Sequence, residues 1–384
     1  MRCLLAFDKF KDALSARAAC DVAAGVLRAR HPDWTLDLCP LTDGGEGFAE
    51  TLTRAADGRL ELSEVSGPRG RRLPAPVGYL EAERIPLAAR ALLPGAPATG
   101  RAAVIGLASA SGIELLPRDQ RDPWKTTTFG TGELVARAVA KKPGFILLGV
   151  GGSATNDLGL GALAALGFRF LARNGTPIPV PTPEHWERIA RIARPALDLP
   201  PMFIACDVTN PLLGPHGATA TFGPQKGLAA TDVPKLETQM ARLAALLGEA
   251  CNQPPALADA PGTGATGGFP FGLMVGAAAK IVPGFDLVAA WLDLAARLAA
   301  ADLVITGEGR FDATSLGGKG PGSLVTEARR RGKAAHVFAG SLGLPATSKL
   351  HAITPPDLPL AAALPRTAEL LAGRDGPRIL ALLR

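Results

Sequence analysis

No apolar run among the 384 residues approaches 18 positions, so no membrane-spanning helix is expected. The N-terminal stretch Cys3 to Phe7 is broken at once by Asp8 and Lys9, which excludes the apolar segment of a secretory signal. Cysteines are few and odd in number. Cys3, Cys20, Cys39, Cys206 and Cys251 stand far apart, without a Cys-x-x-Cys pair or a nearby histidine cluster. Structural zinc is therefore not expected, and a reduced, cytoplasmic setting is. The five histidines, His31, His185, His216, His336 and His351, show no ligand spacing and are expected at the surface or in turns. Although the formal charge is +6, the basic residues are scattered and no basic run is interleaved with aromatics. Nucleic-acid binding is not expected on that ground. A mild positive field suits an anionic substrate, and an arginine-rich composition accounts for it equally well. The common phosphate loop is also missing. A Walker A motif needs G-x-x-x-x-G-K-[ST], whereas Gly318-Lys319 has Ala313 at the required glycine position and Gly320 after it. The protein-kinase signatures are absent as well.

What is present is the composition of a folded enzyme: 47% hydrophobic and 20% charged residues. The length exceeds the roughly 250–300 residues at which single cores stop growing, so two domains are expected. Gly 45 and Pro 34 point to many tight connections, in keeping with an α/β chain rich in loops. Cys3 to Phe7 reads as a buried strand, and Ser15 as the N-cap of a helix ending near Arg30. Thr35 to Leu41, Ala102 to Leu107, Gly144 to Val150, Met202 to Cys206, Asp302 to Ile305, Ala334 to Ala339 and His351 to Thr354 read as further strands. Helices are expected over Gly132 to Lys141, Gly159 to Leu166, Asp232 to Cys251 and Phe285 to Ala300. Between Gly58 and Gly100, Gly67-Pro68-Arg69-Gly70, Pro74, Pro76 and Pro94 break the rhythm into hairpins or a crossover, which marks a domain boundary.

Three of the strand-like runs end in loops of glycines and polar or acidic residues: Thr42-Asp43-Gly44-Gly45-Glu46-Gly47, Gly151-Gly152-Ser153-Ala154-Thr155-Asn156-Asp157 and Thr306-Gly307-Glu308-Gly309-Arg310-Phe311-Asp312. Ligands of open α/β sheets bind at the carboxyl ends of strands. Glycine lets backbone N–H groups approach an anion, and carboxylates hold a cation or take a proton. Phosphate chemistry is the reading this favours. Gly149 to Ala154 also fits G-x-G-x-x-A, yet no acid to bind a ribose occurs between Leu158 and Pro183, so the dinucleotide reading is not favoured. A glycine-rich turn needed only for packing remains an alternative.

Lys11, Asp43, Glu46, Asn156, Asp157, Asp207, Asn210, Glu308, Asp312 and Lys319 together offer what phosphoryl transfer needs: lysines on phosphate, carboxylates for Mg²⁺ and a base for the acceptor. Any one of these acids has an equal claim as a cap or turn residue; their recurrence at strand ends is the argument. Lys11 and Lys319 supply a compact charge for phosphate in a chain rich in arginine. Thr126 to Gly132 forms either another anion nest or a plain helix cap.

Six segments in order resemble those of the bacterial glycerate kinase family: Ala6 to Ala16, Pro40 to Gly47, Thr127 to Leu134, Gly149 to Gly159, Cys206 to Gly214 and Asp302 to Pro321. The likeness spans nearly the whole chain. Asp12 replaces the family's usual glycine, and Gly317-Gly318-Lys319 replaces a histidine-containing version. The resemblance implies an α/β fold of two domains with the active-site cleft between them, residues 1–60 plus 290–384 forming a discontinuous domain and 61–289 an inserted one. It further implies ATP- and Mg²⁺-dependent phosphorylation of D-glycerate, with 2-phosphoglycerate as product and 3-phosphoglycerate as the alternative. On this reading Asp43 is the first choice of base, and Lys11, Asp157 and Asp207 are further catalytic candidates. Asp8, Lys9, Gly44, Gly45, Glu46, Gly151, Gly152, Ser153, Asn156, Asn210, Gly307, Glu308, Gly309, Arg310 and Lys319 would bind substrate or phosphate. Asp157, Asp207 and Asp312 would hold Mg²⁺. No nucleic-acid or membrane partner is expected, and the chain would be a monomer or homodimer. A non-catalytic sensor of a small phosphorylated acid is the alternative from another class, and a dehydrogenase ranks third.

Overall fold

The computed structural model describes residues 1–317 and 320–373. Contacts divide the chain into two compact units, Met1–Asp43 with Val288–Arg384, and Gly44–Leu287.

The first unit is built on a five-stranded parallel sheet in the order Leu350–Ala352, Ala334–Ala339, Leu303–Gly307, Arg2–Phe7, Thr35–Leu38. Cys3 to Phe7 and Leu303 to Ile305 are buried almost without break, as strands covered on both faces require. Strand Arg2–Phe7 leads through helix Ala16–Arg30 to Thr35–Leu38 at one edge, and Leu303–Gly307 leads through helix Pro321–Arg330 to Ala334–Ala339 on the opposite side. The order therefore reverses between Arg2–Phe7 and Leu303–Gly307. That switch point is where open parallel sheets offer a crevice beyond their carboxyl ends. Helix Ala16–Arg30 starts where its cap dictates: the Ser15 hydroxyl accepts from the Ala18 amide at 3.2 Å. It buries Ala19, Cys20, Ala23, Ala24 and Leu27 against the sheet core.

The second unit holds a six-stranded sheet ordered Lys280–Pro283, Met202–Cys206, Phe145–Gly149, Arg101–Gly106, Arg72–Glu81, Arg59–Ser66. The first four strands are parallel, and the last two form an antiparallel hairpin turned at Gly67 to Gly70. Helix Val233–Cys251 buries the row Leu236, Met240, Leu243 and Leu247 that the sequence places on one face.

Several expectations change. Contacts set the first change of unit at Asp43 and Gly44, ahead of residue 60, because helix Phe48–Ala55 packs on the strands Arg72–Glu81 and Arg101–Gly106. The helix expected over Phe285 to Ala300 is two helices, Gly284–Trp291 and Leu294–Ala300, parted by Asp293 at φ 49°. Aspartate is among the few residues that tolerate this left-handed backbone. A three-stranded sheet, Pro177–Ile178, Arg169–Ala172 and Ile189–Ala193, has no counterpart in the sequence reading. His336 and His351 lie on neighbouring strands with rings stacked 5.5 Å apart, the first half-buried and the second buried, both away from turns. Among the described residues no helix is long and apolar enough to cross a membrane.

Candidate active site

At the switch point of the first unit the backbone brings Asp8 and Glu308 side by side. The Asp8 amide donates to the Gly307 carbonyl at 2.9 Å, extending the pairing of the two central strands by one residue. Glycines 307 and 309 let this turn close: a methyl on Gly307 would meet the Phe338 carbonyl at 1.8 Å, and one on Gly309 would stand 3.3 Å from the Lys11 amide. The loop after Asp8 turns at Asp12, whose φ of 59° is the conformation a glycine would hold without strain. The Lys9 ammonium donates to Asp43 at 2.8 Å, with the lysine 9% and the aspartate 51% exposed. Asp312 pairs with Arg310 at 3.1 Å.

Electrostatics single out this corner. Burial pushes the Asp8 carboxyl from its ordinary 3.8 up to about 7, the Asp43 carboxylate adds to the rise, and Lys9 opposes it. Burial likewise raises Glu308, together with Asp312 and Asp43, while the Ser315 hydroxyl and Lys11 act against it. Two buried carboxyl groups with raised proton affinity, with the Asp43 carboxylate and lysines beside them at a switch point, mark this corner as a candidate site. The Asp8 carboxyl also faces the start of helix Pro321–Arg330: a methyl on Gly320 would come within 3.8 Å of it.

In the second unit two glycine loops lie backbone against backbone. The Gly151 amide donates to the Gly44 carbonyl at 2.9 Å, and a methyl on Gly151 would come within 2.7 Å of the Gly45 amide. Ser111 accepts from the Ala154 amide, and Thr126 donates to the Ala154 carbonyl at 3.0 Å. Asp157 is wholly buried. Its oxygens accept from the Thr128 amide at 2.7 Å and hydroxyl at 2.9 Å, and from the amides of Gly159 and Gly161 at 3.2 and 3.3 Å. Desolvation nevertheless raises its carboxyl. Asn156 donates to the Thr219 hydroxyl at 3.1 Å. The Asp207 carboxylate receives the Phe285 amide at 2.8 Å, and the Asn210 side chain donates to the His216 carbonyl at 2.7 Å.

The expected residues thus fall into two groups. Asp8, Lys9, Lys11, Asp43, Gly307, Glu308, Gly309, Arg310 and Asp312 belong to the first unit; Gly44, Gly45, Glu46, Gly151, Gly152, Ser153, Asn156, Asp157, Asp207 and Asn210 belong to the second. The motif Thr42 to Gly47 is divided by that boundary. Lys319 lies outside the described residues. The sequence reading missed Lys226, which is 2% exposed and donates to the Thr155 carbonyl at 2.6 Å. It also passed over Gly262 to Gly268, although the glycine density there was a visible signal. In that segment Thr266 donates to the Val150 carbonyl and Gly267 accepts from the Leu158 amide. All five cysteines are free thiols, and burial pushes Cys3, Cys20 and Cys39 up to about 12, which makes them poor nucleophiles.

A family model described as the glycerate kinase family matches residues 3–374. A protein of Bacillus subtilis strain 168 named glycerate kinase is 35% identical over 382 residues, covering 97% of this chain and 95% of its own. A protein of Escherichia coli K12 named glycerate 2-kinase is 35% identical over 348 residues, covering 89% and 86%. A crystal structure from Salmonella typhimurium LT2, presented as glycerate kinase 2, superposes with a TM-score of 0.73 at 37% identity, covering 97% of this chain and 95% of that one.

Proposed function

Since the chain belongs to the glycerate kinase family, we propose that it transfers the γ-phosphoryl group of ATP to a hydroxyl of D-glycerate, with 2-phosphoglycerate as product. One observation in the molecule carries the reading: the buried Asp8, set between Asp43 and Glu308 and poised to exchange a proton near neutrality. A base works best with a pKa close to the working pH. Asp8 therefore takes the proton of the acceptor hydroxyl. Asp43, the first choice from sequence, is held in its ion pair with Lys9 and acts on Asp8 as a neighbouring charge. Lys9 and Lys11 favour an anionic substrate at the same corner, where they offset the carboxylates.

The loop Gly151-Gly152-Ser153 offers its amides to phosphate oxygens, and its close seat on Gly44 and Gly45 leaves no room for larger side chains. Bound ATP would supply the phosphoryl group and Mg²⁺ would neutralise charge on its phosphates. Among the described residues no three acidic, histidine or cysteine side chains gather into a metal cage. Mg²⁺ fits such a protein when one or two carboxylates share it with substrate phosphates. Asp157 does not suit that task, because its oxygens are fully buried and engaged with backbone and hydroxyl donors; we assign it to the shape of its loop. The half-buried Asp207 and Asp312 stay as candidates.

A coupled assay for ADP release that depends on D-glycerate tests the activity. In it Asp8→Asn is expected to lower kcat/KM by about 10²–10⁴-fold. Near-wild-type turnover by that variant would remove Asp8 from the chemistry.

A further inference from the structure

The segment that follows Gly217 grips two successive residues of the loop between Gly151 and Asp157. Thr219 receives the Asn156 amide at 3.1 Å, and seven residues on, the Lys226 ammonium donates to the Thr155 carbonyl at 2.6 Å. Between them the chain folds into a tight turn, with the Lys226 amide on the Gly223 carbonyl at 3.0 Å and the Gly227 amide on the Pro224 carbonyl at 3.0 Å. The turn is anchored by Gly227, at φ 96°, where a methyl would stand 2.2 Å from the Arg121 carbonyl. The lysine therefore reaches the loop from a fixed base.

An ammonium group in this place is costly. Lys226 is 2% exposed, and desolvation pushes it down to about 7 despite the attraction of the Asp157 carboxylate. An apolar side chain of the same length would fill the volume without that penalty. Packing alone does not account for the amine. What the amine adds is a directed bond to the one carbonyl that separates Ser153 and Ala154 from the clamped Asn156 and Asp157.

We propose that Lys226 is a positioning residue that sets the backbone of the loop Gly151–Asp157 for phosphate binding by tethering the Thr155 carbonyl. The proposal rests on the reading of that loop as the phosphate cradle. Asp157, pinned by Thr128, Gly159 and Gly161, holds the far end of the same stretch and Ser111 and Thr126 hold Ala154, so loss of the tether loosens the Thr155 peptide between them.

The test is Lys226→Met, with hydrogen exchange of the amides of residues 151–157, the KM for ATP and for D-glycerate, and the thermal midpoint measured together. Exchange in that segment is expected to rise about tenfold or more, and the KM for ATP about fivefold or more, with the KM for D-glycerate changed less than about twofold. Unchanged exchange in the segment, with only a lower thermal midpoint, overturns the proposal by reducing Lys226 to a space-filling side chain. Faster exchange with an unchanged KM for ATP overturns the assignment of the loop to phosphate, and with it the functional role of the tether. Should the methionine variant not yield folded protein, Lys226→Leu, which also lacks a donor, is read by the same criteria.

Discussion

On the proposed function Asp8 is the residue on which the chemistry turns, and its burial gives the perturbation a size. A carboxyl displaced from 3.8 to about 7 prefers its neutral form by about 4 kcal/mol, from burial first and the charge of Asp43 second. Two consequences follow from the same displacement. If the ionised carboxylate accepts the hydroxyl proton, kcat/KM rises with pH through about 7, and its value at pH 6 is about one tenth of the alkaline plateau. Stability moves the opposite way. Below pH 3.8 the group is neutral in both folded and unfolded chains; as pH rises to about 7 the unfolded chain releases its proton first, so the folded state loses up to about 4 kcal/mol across that window. Asp8→Asn removes both effects: the acid limb of the rate profile disappears with the activity, and the variant is more stable than the wild type at pH 8. Asp43→Asn moves the limb to lower pH, since one of the charges that disfavours Asp8 ionisation is gone. Initial rates from pH 5 to 9 and urea unfolding at pH 5 and 8 read these outcomes. A rate profile that keeps its limb in Asp8→Asn, or a variant no more stable than wild type at pH 8, refutes the reasoning.

Gly149→Ala places a methyl 2.4 Å from the Phe48 ring and 2.7 Å from the Gly44 carbonyl; a loss of about 1–3 kcal/mol is expected in urea unfolding, with reduced activity. Asp157→Asn turns an amide toward the Thr128, Gly159 and Gly161 donors, and a loss of about 3 kcal/mol is expected. A change below about 1 kcal/mol would show that the carboxylate does not hold the loop. Ser15→Ala removes the cap of helix Ala16–Arg30 and is expected to lower stability by about 1 kcal/mol with unchanged kinetics. A shift in the KM for D-glycerate would contradict that purely structural role.

The parallel strands were legible because buried strands read as short apolar runs, and Cys3 to Phe7 or Gly144 to Val150 leave little else to be. Ser15 was legible as a cap because its hydrogen bond spans three residues. The site was only half legible. Acids and glycines at strand ends mark loops that a ligand can reach, but the letters do not say which acids face outward. Asp157 and Asp43 look alike in sequence; one is sealed under Thr128 and the other is half exposed beside Lys9. The unusual proton affinity of Asp8 comes from its burial first and from the charges of Asp43 and Glu308 after that, surroundings that only the fold supplies. Lys226 sits in a polar stretch that reads as surface, and its burial follows from the turn at Gly223 to Gly227. Asp293 broke an otherwise periodic helix because a single left-handed residue leaves the apolar pattern on either side intact.

The most direct measurement is phosphorus NMR of the full chain with ATP, Mg²⁺ and D-glycerate. ADP and 2-phosphoglycerate are expected to grow together in equal amounts as the γ-phosphate resonance declines. An ATP spectrum that stays unchanged while glycerate binds, or hydrolysis to inorganic phosphate alone, would contradict the account.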